Sequence, residues 1–344
     1  MRIEINASRD FGTSRVNSLR FMAVIVYKPG GGYSKKLVTE KWKYRGLGPG
    51  RTNDGGERIA SRMRAVELDI KIIEDKDSFL RFLLTGTDHA YANALRRAMI
   101  AEVPTMAIED VIIIENTSVL YDEVIAHRLG LIPLKTDLDA YVLPEECDCK
   151  SELGCSKCRA SFTLEAEAKD EPLMVYSSDL KPESDVTPVS GNIPIVKLGP
   201  TQKLRLEMYA RLGRGIEHAK WQPVSACAYK YLPKVTLNSE NLANAEEVIR
   251  ICPTRVYSSD SENKIIVRDE AVCTLCMDCV EKAVPIDSKK TFPVKVEADE
   301  NSFIFYVEST GALPTKRVVT EASKIIDRKA STLDEIMNKG LEQV

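Results

Sequence analysis

The sequence predicts an α+β fold, because strand-like and helix-like segments are mixed without a repeating βαβ unit. Three observations support this class. Alternation of apolar and polar residues with a period of two recurs in several segments. Apolar residues at helical spacing mark two segments in the first half of the chain and a longer one at its carboxyl end. No internal repeat of solenoid length is found in the sequence.

A strand pair and a helix are the first predicted elements. Alternation typical of a half-buried strand is carried by Val66, Leu68, Ile70 and Ile72. Residues 78–86 are predicted to form the returning strand. The helix covers 89–102, with Thr87 or Asp88 as its N-cap, and it stops before Pro104.

Later segments add two helices and two strands. A short helix over 122–130 is predicted to end on Gly130 as a C-cap residue. Strands are expected over 203–211 and 302–309. The carboxyl-terminal helix runs from about 317 to 338. Its apolar stripe consists of Val318, Ala322, Ile325, Leu333 and Ile336.

Composition indicates an ordinary soluble globular protein. The chain has 344 residues, 29% charged and 44% hydrophobic, with a formal charge of −3, which suits two or three domains with their own cores. Residues 1–62 differ, with 13 Lys and Arg against 5 Asp and Glu, a net +8. We expect them to form a flexible basic arm or to reflect an upstream start codon. Nine cysteines without a disulfide-like framework favour a cytoplasmic location.

Three cysteines at the CxxCxxC spacing indicate an iron–sulfur site, yet the position three residues after the last one is Ala283. The three are Cys273, Cys276 and Cys279. In two-cluster ferredoxins of the bacterial type, the fourth ligand to a cluster is the Cys-Pro cysteine of the other run. Cys252, followed by Pro253, supplies that ligand here. Residues of about 237–290 are therefore predicted to form a small ferredoxin-like domain, and the alternative is a zinc site made of the same four thiolates.

A second group of cysteines lies within one loop. The group consists of Cys147, Cys149, Cys155 and Cys158. Four soft thiolates within so few residues predict a closed structural zinc knuckle. The alternatives are free thiols or a redox pair. The remaining cysteine, Cys227, is expected to be a small core residue.

No catalytic constellation is recognisable in the sequence. The three histidines, His89, His127 and His218, lie in different segments, and none belongs to a nucleophile–base pair or an HExxH helix. We expect surface or helix-packing roles for them. The iron–sulfur site alone would also suit an electron-transfer subunit of an oxidoreductase, which is the alternative function.

Three segments resemble a known family, namely residues 85–134, 204–225 and 307–314. They are similar to the D-type subunits of archaeal DNA-directed RNA polymerase, the counterparts of the amino-terminal domain of the bacterial alpha subunit and of the third-largest eukaryotic polymerase subunit. The resemblance extends from Met63 to the carboxyl terminus, and residues 1–62 depart from it.

The resemblance implies a non-catalytic platform subunit of DNA-directed RNA polymerase. It implies a discontinuous dimerisation domain, 63–105 plus 291–344, into which a middle domain, 106–236, and the ferredoxin-like domain, 237–290, are inserted. The chain would pair with subunit L and support subunits N and P and the large catalytic subunits, with DNA reached only through the complex and without any membrane. The family includes members with two clusters, one or none, and the cysteine count places this chain with the one-cluster type, as [4Fe–4S] or [3Fe–4S].

Overall fold

A computed structural model describes residues 68–149, 151, 154–260, 264–287 and 292–341. The expected amino-terminal arm, 1–62, lies outside the described residues. The strands are β1 (Asp69–Lys76), β2 (Phe79–Thr85), β3 (Thr105–Asn116), β4 (Arg159–Glu167), β5 (Leu173–Tyr176), β6 (Lys181–Pro182), β7 (Pro194–Leu198), β8 (Lys203–Gly213), β9 (Val224–Leu237), β10 (Tyr257–Ser259), β11 (Ile265–Val267) and β12 (Val294–Ser309). The α-helices are α1 (His89–Ala101), α2 (Asp122–Gly130), α3 (Ala245–Ile251), α4 (Asp278–Lys282) and α5 (Thr315–Leu341). This mixture of sheets and helices is the predicted α+β class.

The first sheet joins strands from both ends of the described chain. Its order is β1-β2-β12-β9, and every neighbouring pair is antiparallel. Helices α1 and α5 pack against it and against each other. The rings of Phe82 on β2 and Phe305 on β12 stack with their centroids 4.9 Å apart, at the centre of this core. We call it sheet 1.

Helix α1 forms as its sequence predicts. Its N-cap is Asp88, whose side chain accepts a hydrogen bond of 2.9 Å from the backbone N–H of Tyr91. The helix ends ahead of Pro104, which could not continue it. Its buried residues recur at helical spacing and face sheet 1 and α5; they are Ala92, Leu95, Ala98 and Met99.

A second sheet, of order β3-β8-β4-β6, forms the middle of the protein with its own core. The predicted alternation on β8 is confirmed, because Leu204, Leu206, Met208 and Ala210 are all buried. Helix α2 packs on this core through Ile125 and Leu129. The prediction for its end was wrong in one detail: Gly130 is the last helical residue, and Leu131 occupies the cap with ordinary right-handed backbone.

A third, smaller core lies around β10, β11, α3 and α4. Strands β9 and β12 connect it to sheet 1. At one end their residues Val235, Leu237, Val294 and Val296 contribute to the third core, and at the other end Phe303 and Phe305 belong to the core of sheet 1. A break in register between Asp299 and Phe303 separates the two parts of this two-stranded ribbon.

Strand β9 pairs across the expected domain division. The sequence-based middle domain, 106–236, includes nearly all of this strand, but β9 pairs with β12 from Leu237 to Val224. The pairing joins residues 57 to 85 positions apart, and local periodicity carries no information on such long-range register. Strand β9 therefore belongs to sheet 1 and the ribbon.

The carboxyl-terminal helix α5 is longer than predicted and only partly buried. Val318 and Ala322 are fully buried, whereas Leu333 is 58% and Ile336 62% exposed. The apolar stripe therefore continues beyond the part of α5 that covers sheet 1. No helix among the described residues has the length and apolar character needed to cross a membrane.

Candidate metal centres

The first candidate centre is the knuckle loop, Cys147 to Cys158. All four sulfur atoms of Cys147, Cys149, Cys155 and Cys158 lie within 4.8 Å of one another. The Sγ atoms of Cys147 and Cys155 are 3.7 Å apart, and those of Cys149 and Cys158 are 3.9 Å apart. The predicted ligand set is thus gathered in space as well as in sequence.

Turns of the backbone bring these sulfurs together. A short 3-10 turn over Pro144–Glu146 leads into the loop, and the N–H groups of Cys158 and Arg159 both donate to the carbonyl oxygen of Cys155. Gly154 has φ of +76°, and a Cβ there would lie 3.3 Å from the sulfur of Cys158. A side chain at this position would strain the turn and press against the sulfur of a candidate ligand.

The thiols of the knuckle loop differ in acidity. The backbone N–H of Lys157 and contacts with the neighbouring thiols lower the pKa of Cys155 to about 7. The backbone N–H of Cys149 lowers the pKa of Cys147, but the neighbouring thiols have the larger combined effect and raise that pKa to about 12. One thiol of the group is therefore partly ionised at neutral pH, and thiolate is the form that binds metals.

This donor set fits a single metal ion. Four sulfur atoms at these separations can surround one ion tetrahedrally, and thiolates are the preferred ligands of structural zinc. Among the residues that the structure describes, this is the group of potential ligands gathered closely enough for one ion.

The second cysteine set (Cys252, Cys273, Cys276 and Cys279) lies in the third core. Cys252 follows α3, Cys273 follows a 3-10 turn over Glu270–Val272, and Cys279 lies in α4. Cys273 and Cys279 are 7% and 6% exposed, whereas Cys276 is exposed. An iron–sulfur cluster is larger than a single ion, so its ligands need a wider arrangement than the knuckle loop provides.

Hydrogen-bond donors surround three of these sulfurs. The backbone N–H groups of Val256 and Leu275 donate to the sulfurs of Cys252 and Cys273, each over 3.4 Å. The hydroxyl group of Tyr257 donates to the sulfur of Cys279 over 3.2 Å. Such donors stabilise negative charge on sulfur, as expected around a thiolate that binds a cluster.

Unusual backbone conformations accompany the cysteines. Arg255, Leu275 and Met277 have φ values of 55°, 59° and 67°, in the left-handed region that non-glycine residues seldom adopt. Strain of this kind persists only where the surroundings impose it, and it concentrates at binding sites. Here it lies within three residues of a cysteine in each case.

The four thiols also influence one another electrostatically. Burial raises the pKa of the Cys279 thiol, the Tyr257 hydroxyl acts against this, and the charges of the other three cysteines raise it further. Mutual repulsion of this type would be removed by binding to positively charged iron. The hydrogen-bond donors, the backbone strain and the repulsion between the thiols all fit a cluster that would be bound by four thiolates.

Two contacts connect the second cysteine set to the ribbon. The ammonium group of Lys230 on β9 donates a hydrogen bond of 2.8 Å to the carbonyl oxygen of Cys273. The backbone N–H of Val235 donates to the Glu270 carboxylate over 3.3 Å. Sequence reasoning missed Lys230 and Tyr257, because neither lies in the cysteine motif and each contacts a cysteine distant from it in sequence.

The other candidate residues lie outside the two cysteine sets, although His89 also lines a surface cavity. Burial raises the pKa of Cys227 to about 12, which agrees with a core residue rather than a nucleophile. His89, His127 and His218 are all exposed and lie in different elements. His218 accepts a hydrogen bond of 3.1 Å from the backbone N–H of Lys220, which is a local capping role.

Comparison with known proteins gives a consistent result. Residues 81–330 match the family model of the RNA polymerase Rpb3/Rpb11 dimerisation domain. The chain is 42% identical over 277 residues to DNA-directed RNA polymerase subunit Rpo3 of Archaeoglobus fulgidus, covering 80% of this chain and 98% of that relative. It is 39% identical over 275 residues to Rpo3 of Methanosphaera stadtmanae, covering 79% and 99%. It is also 39% identical over 293 residues to DNA-directed RNA polymerase II subunit rpb3 of Dictyostelium discoideum, covering 79% and 96%.

Proposed function

This chain belongs to the family of DNA-directed RNA polymerase subunits that includes archaeal Rpo3 and eukaryotic Rpb3, and we propose that it is a non-catalytic assembly subunit of that enzyme. The observation that carries the proposal is the match to a dimerisation domain over residues 81–330. That range includes most of β2, all of α1, β9 and β12, and the first part of α5, which together with β1 build sheet 1 and its helices.

We propose subunit L as the partner that pairs with sheet 1 and its helices. Support comes from α5, where Leu333, Ile336 and Met337 are 58%, 62% and 49% exposed and lie at i, i+3 and i+4. Lys329, one turn before this stripe, forms an ion pair with Glu102 at the end of α1. No described part of the chain covers the stripe itself. An uncovered apolar stripe that continues a dimerisation element suits a helix of a partner subunit. Subunits N and P and the large catalytic subunits would assemble on the heterodimer.

An experiment on α5 tests this pairing. The double variant Leu333→Asp, Ile336→Asp should weaken the heterodimer more than tenfold, since each side chain buried on pairing is worth about 1.5 to 3 kcal/mol. The control is Val119→Asp, on an apolar residue of the middle domain that is also exposed. Unchanged affinity in the double variant, measured by co-purification and calorimetry with subunit L, would contradict the pairing.

The second cysteine set would hold one iron–sulfur cluster, [4Fe–4S] or [3Fe–4S], and the knuckle loop would hold one structural zinc. When bound, the cluster supplies metal–thiolate bonds between segments distant in sequence, together with one-electron redox capacity. Cys252 would tie α3 to the loop of Cys273 and Cys276 and to Cys279 on α4, so the third core would be fastened on both sides. Lys230 and the ribbon would then hold this domain against sheet 1.

The electron-transfer alternative has less support. It rests on the predicted cluster alone, whereas the family match covers the dimerisation elements that such a carrier would not need. Full-chain purification followed by iron analysis and identification of co-eluting subunits distinguishes the two functions. Polymerase subunits in the eluate support assembly, and a flavin or nicotinamide enzyme in their place would overturn it.

A further inference from the structure

Tyr257 stands in an unusual position relative to the second cysteine set. It is the first residue of β10, pairs with Val267 on β11 and is only 3% exposed. Its hydroxyl group donates a hydrogen bond of 3.2 Å to the sulfur of Cys279. A buried tyrosine needs a partner for its hydroxyl group, and here that partner is a predicted cluster ligand.

The donor at Cys279 differs from the backbone donors at Cys252 and Cys273. Those two donors are N–H groups, which remain whatever side chain is present, and a longer contact of 3.8 Å joins the Thr254 hydroxyl group to the Cys252 sulfur. The bond to Cys279 comes from a side-chain oxygen. It can be removed by deleting one atom, and the ring that fills the third core then stays in place.

A hydrogen bond to a ligand sulfur has a defined electrostatic consequence. Reduction adds one negative charge to a cluster, and part of that charge resides on the cysteine sulfurs. A donor directed at such a sulfur stabilises the reduced form more than the oxidised form, which raises the reduction potential. The effect is large where the donor is shielded from water, as it is at Tyr257.

We propose that Tyr257 is a positioning residue for the cluster: its hydroxyl group holds the Cys279 sulfur in place and stabilises the reduced cluster. This inference rests on the proposed cluster site. It adds a residue outside the cysteine motif that sets how firmly, and in which redox state, the cluster is retained.

The test compares Tyr257→Phe with the unchanged full chain, purified without oxygen. The matched control is Tyr231→Phe, a tyrosine on β9 whose ring packs against Phe303 with centroids 5.1 Å apart. Redox titration followed by electron paramagnetic resonance gives the reduction potential, and a coloured chelator gives the rate of iron loss. We expect Tyr257→Phe to lower the potential and to lose iron about fivefold faster, the factor for one lost hydrogen bond. Tyr231→Phe should change neither quantity.

A second measurement keeps the fold unaltered and should change the reduction potential in the opposite direction. Biosynthetic replacement of tyrosine by 3-fluorotyrosine makes each hydroxyl group a stronger donor, so the potential should rise in the unchanged sequence but not in Tyr257→Phe. Equal potentials and iron-loss rates in Tyr257→Phe and Tyr231→Phe would overturn the role of Tyr257 and leave the cluster intact. A purified chain without iron would overturn the cluster assignment, and the role of Tyr257 with it.

Discussion

The two cysteine sets contain four thiols each but are built in opposite ways. In the knuckle loop the cysteines are close in sequence, their sulfurs lie within 4.8 Å of one another, and Cys158 is the buried member of the group. In the second set, Cys252 lies twenty-one residues before Cys273, and Cys273 and Cys279 are buried in a core to which six strands and helices contribute side chains. A metal ion bound by the first set would close one loop, whereas a cluster bound by the second set would join separate segments of a domain.

Because of this difference, we expect the loss of each metal to destabilise a different part of the fold. A metal that closes a short loop removes little chain entropy and restrains mainly the loop itself. One that joins distant segments restrains everything packed between them. The third core shares β9 and β12 with sheet 1, so its loss can reach the dimerisation elements, but only through the ribbon.

The largest expected effect is on the second set. Replacement Cys252→Ser should abolish iron binding and the brown absorbance, and it should unfold the third core, because α3 then loses its tie to the other ligands. Pairing with subunit L should survive, since sheet 1 has a separate core, while assembly with the larger subunits should fall strongly. Iron content, hydrogen exchange and reconstitution measure these three quantities. Cys227→Ser is the matched control. Normal assembly of Cys252→Ser without iron would contradict the expectation that the second cysteine set joins the segments of its domain.

A smaller effect is expected at the link between the third core and sheet 1. Lys230→Met removes the hydrogen bond to the carbonyl oxygen of Cys273 but keeps the length of the side chain. For a partly buried charged donor we expect a loss of about 1 kcal/mol, visible as faster hydrogen exchange around residues 269–276. Lys234→Met, on an exposed lysine of the same strand, is the control. Equal exchange in both variants would show that Lys230 does not couple the two regions.

Local effects are expected in the knuckle loop. The double variant Cys155→Ser, Cys158→Ser should release one zinc per chain and leave the iron content unchanged, because no described contact joins the two cysteine sets. Thermal stability should fall by only a few degrees. Metal analysis by mass spectrometry checks this. A loss of iron equal to the loss of zinc would show that the ligand sets were wrongly divided.

Features that depend on residues close in sequence could be predicted, whereas contacts between residues distant in sequence could not. The knuckle loop was predictable because its ligands are neighbours in sequence, and α1 was predictable because Asp88 caps a segment with clear helical spacing. The role of β9 was missed, since its partner β12 lies far along the chain. Tyr257 and Lys230 were missed for the same reason, because the cysteines that they contact are distant from them in sequence. The motif predicts the candidate ligands but not the hydrogen-bond donors around them.

The smallest expected effect concerns the acidity of single thiols in the metal-free knuckle loop. The backbone N–H of Lys157 and the neighbouring thiols lower the pKa of Cys155 to about 7, so Cys155 is ionised above that pH and protonated below it. The pKa of Cys147 is raised to about 12, so it stays protonated throughout the neutral range. Only the thiolate reacts with iodoacetamide. Alkylation of Cys155 should therefore rise as the pH is raised from 6 to 8, while Cys147 remains unmodified.

Peptide mapping by mass spectrometry measures this labelling, and Cys227, whose pKa burial raises to about 12, is the internal reference for an unreactive thiol. Added zinc should protect Cys155, since bound thiolates are not free to react. The same zinc should leave the labelling of exposed Cys276 unchanged if the two sets are independent. Protection of Cys276 by zinc alone would mean that the second set accepts a single ion. It would thereby remove the contrast between a closed loop and a cluster-tied domain.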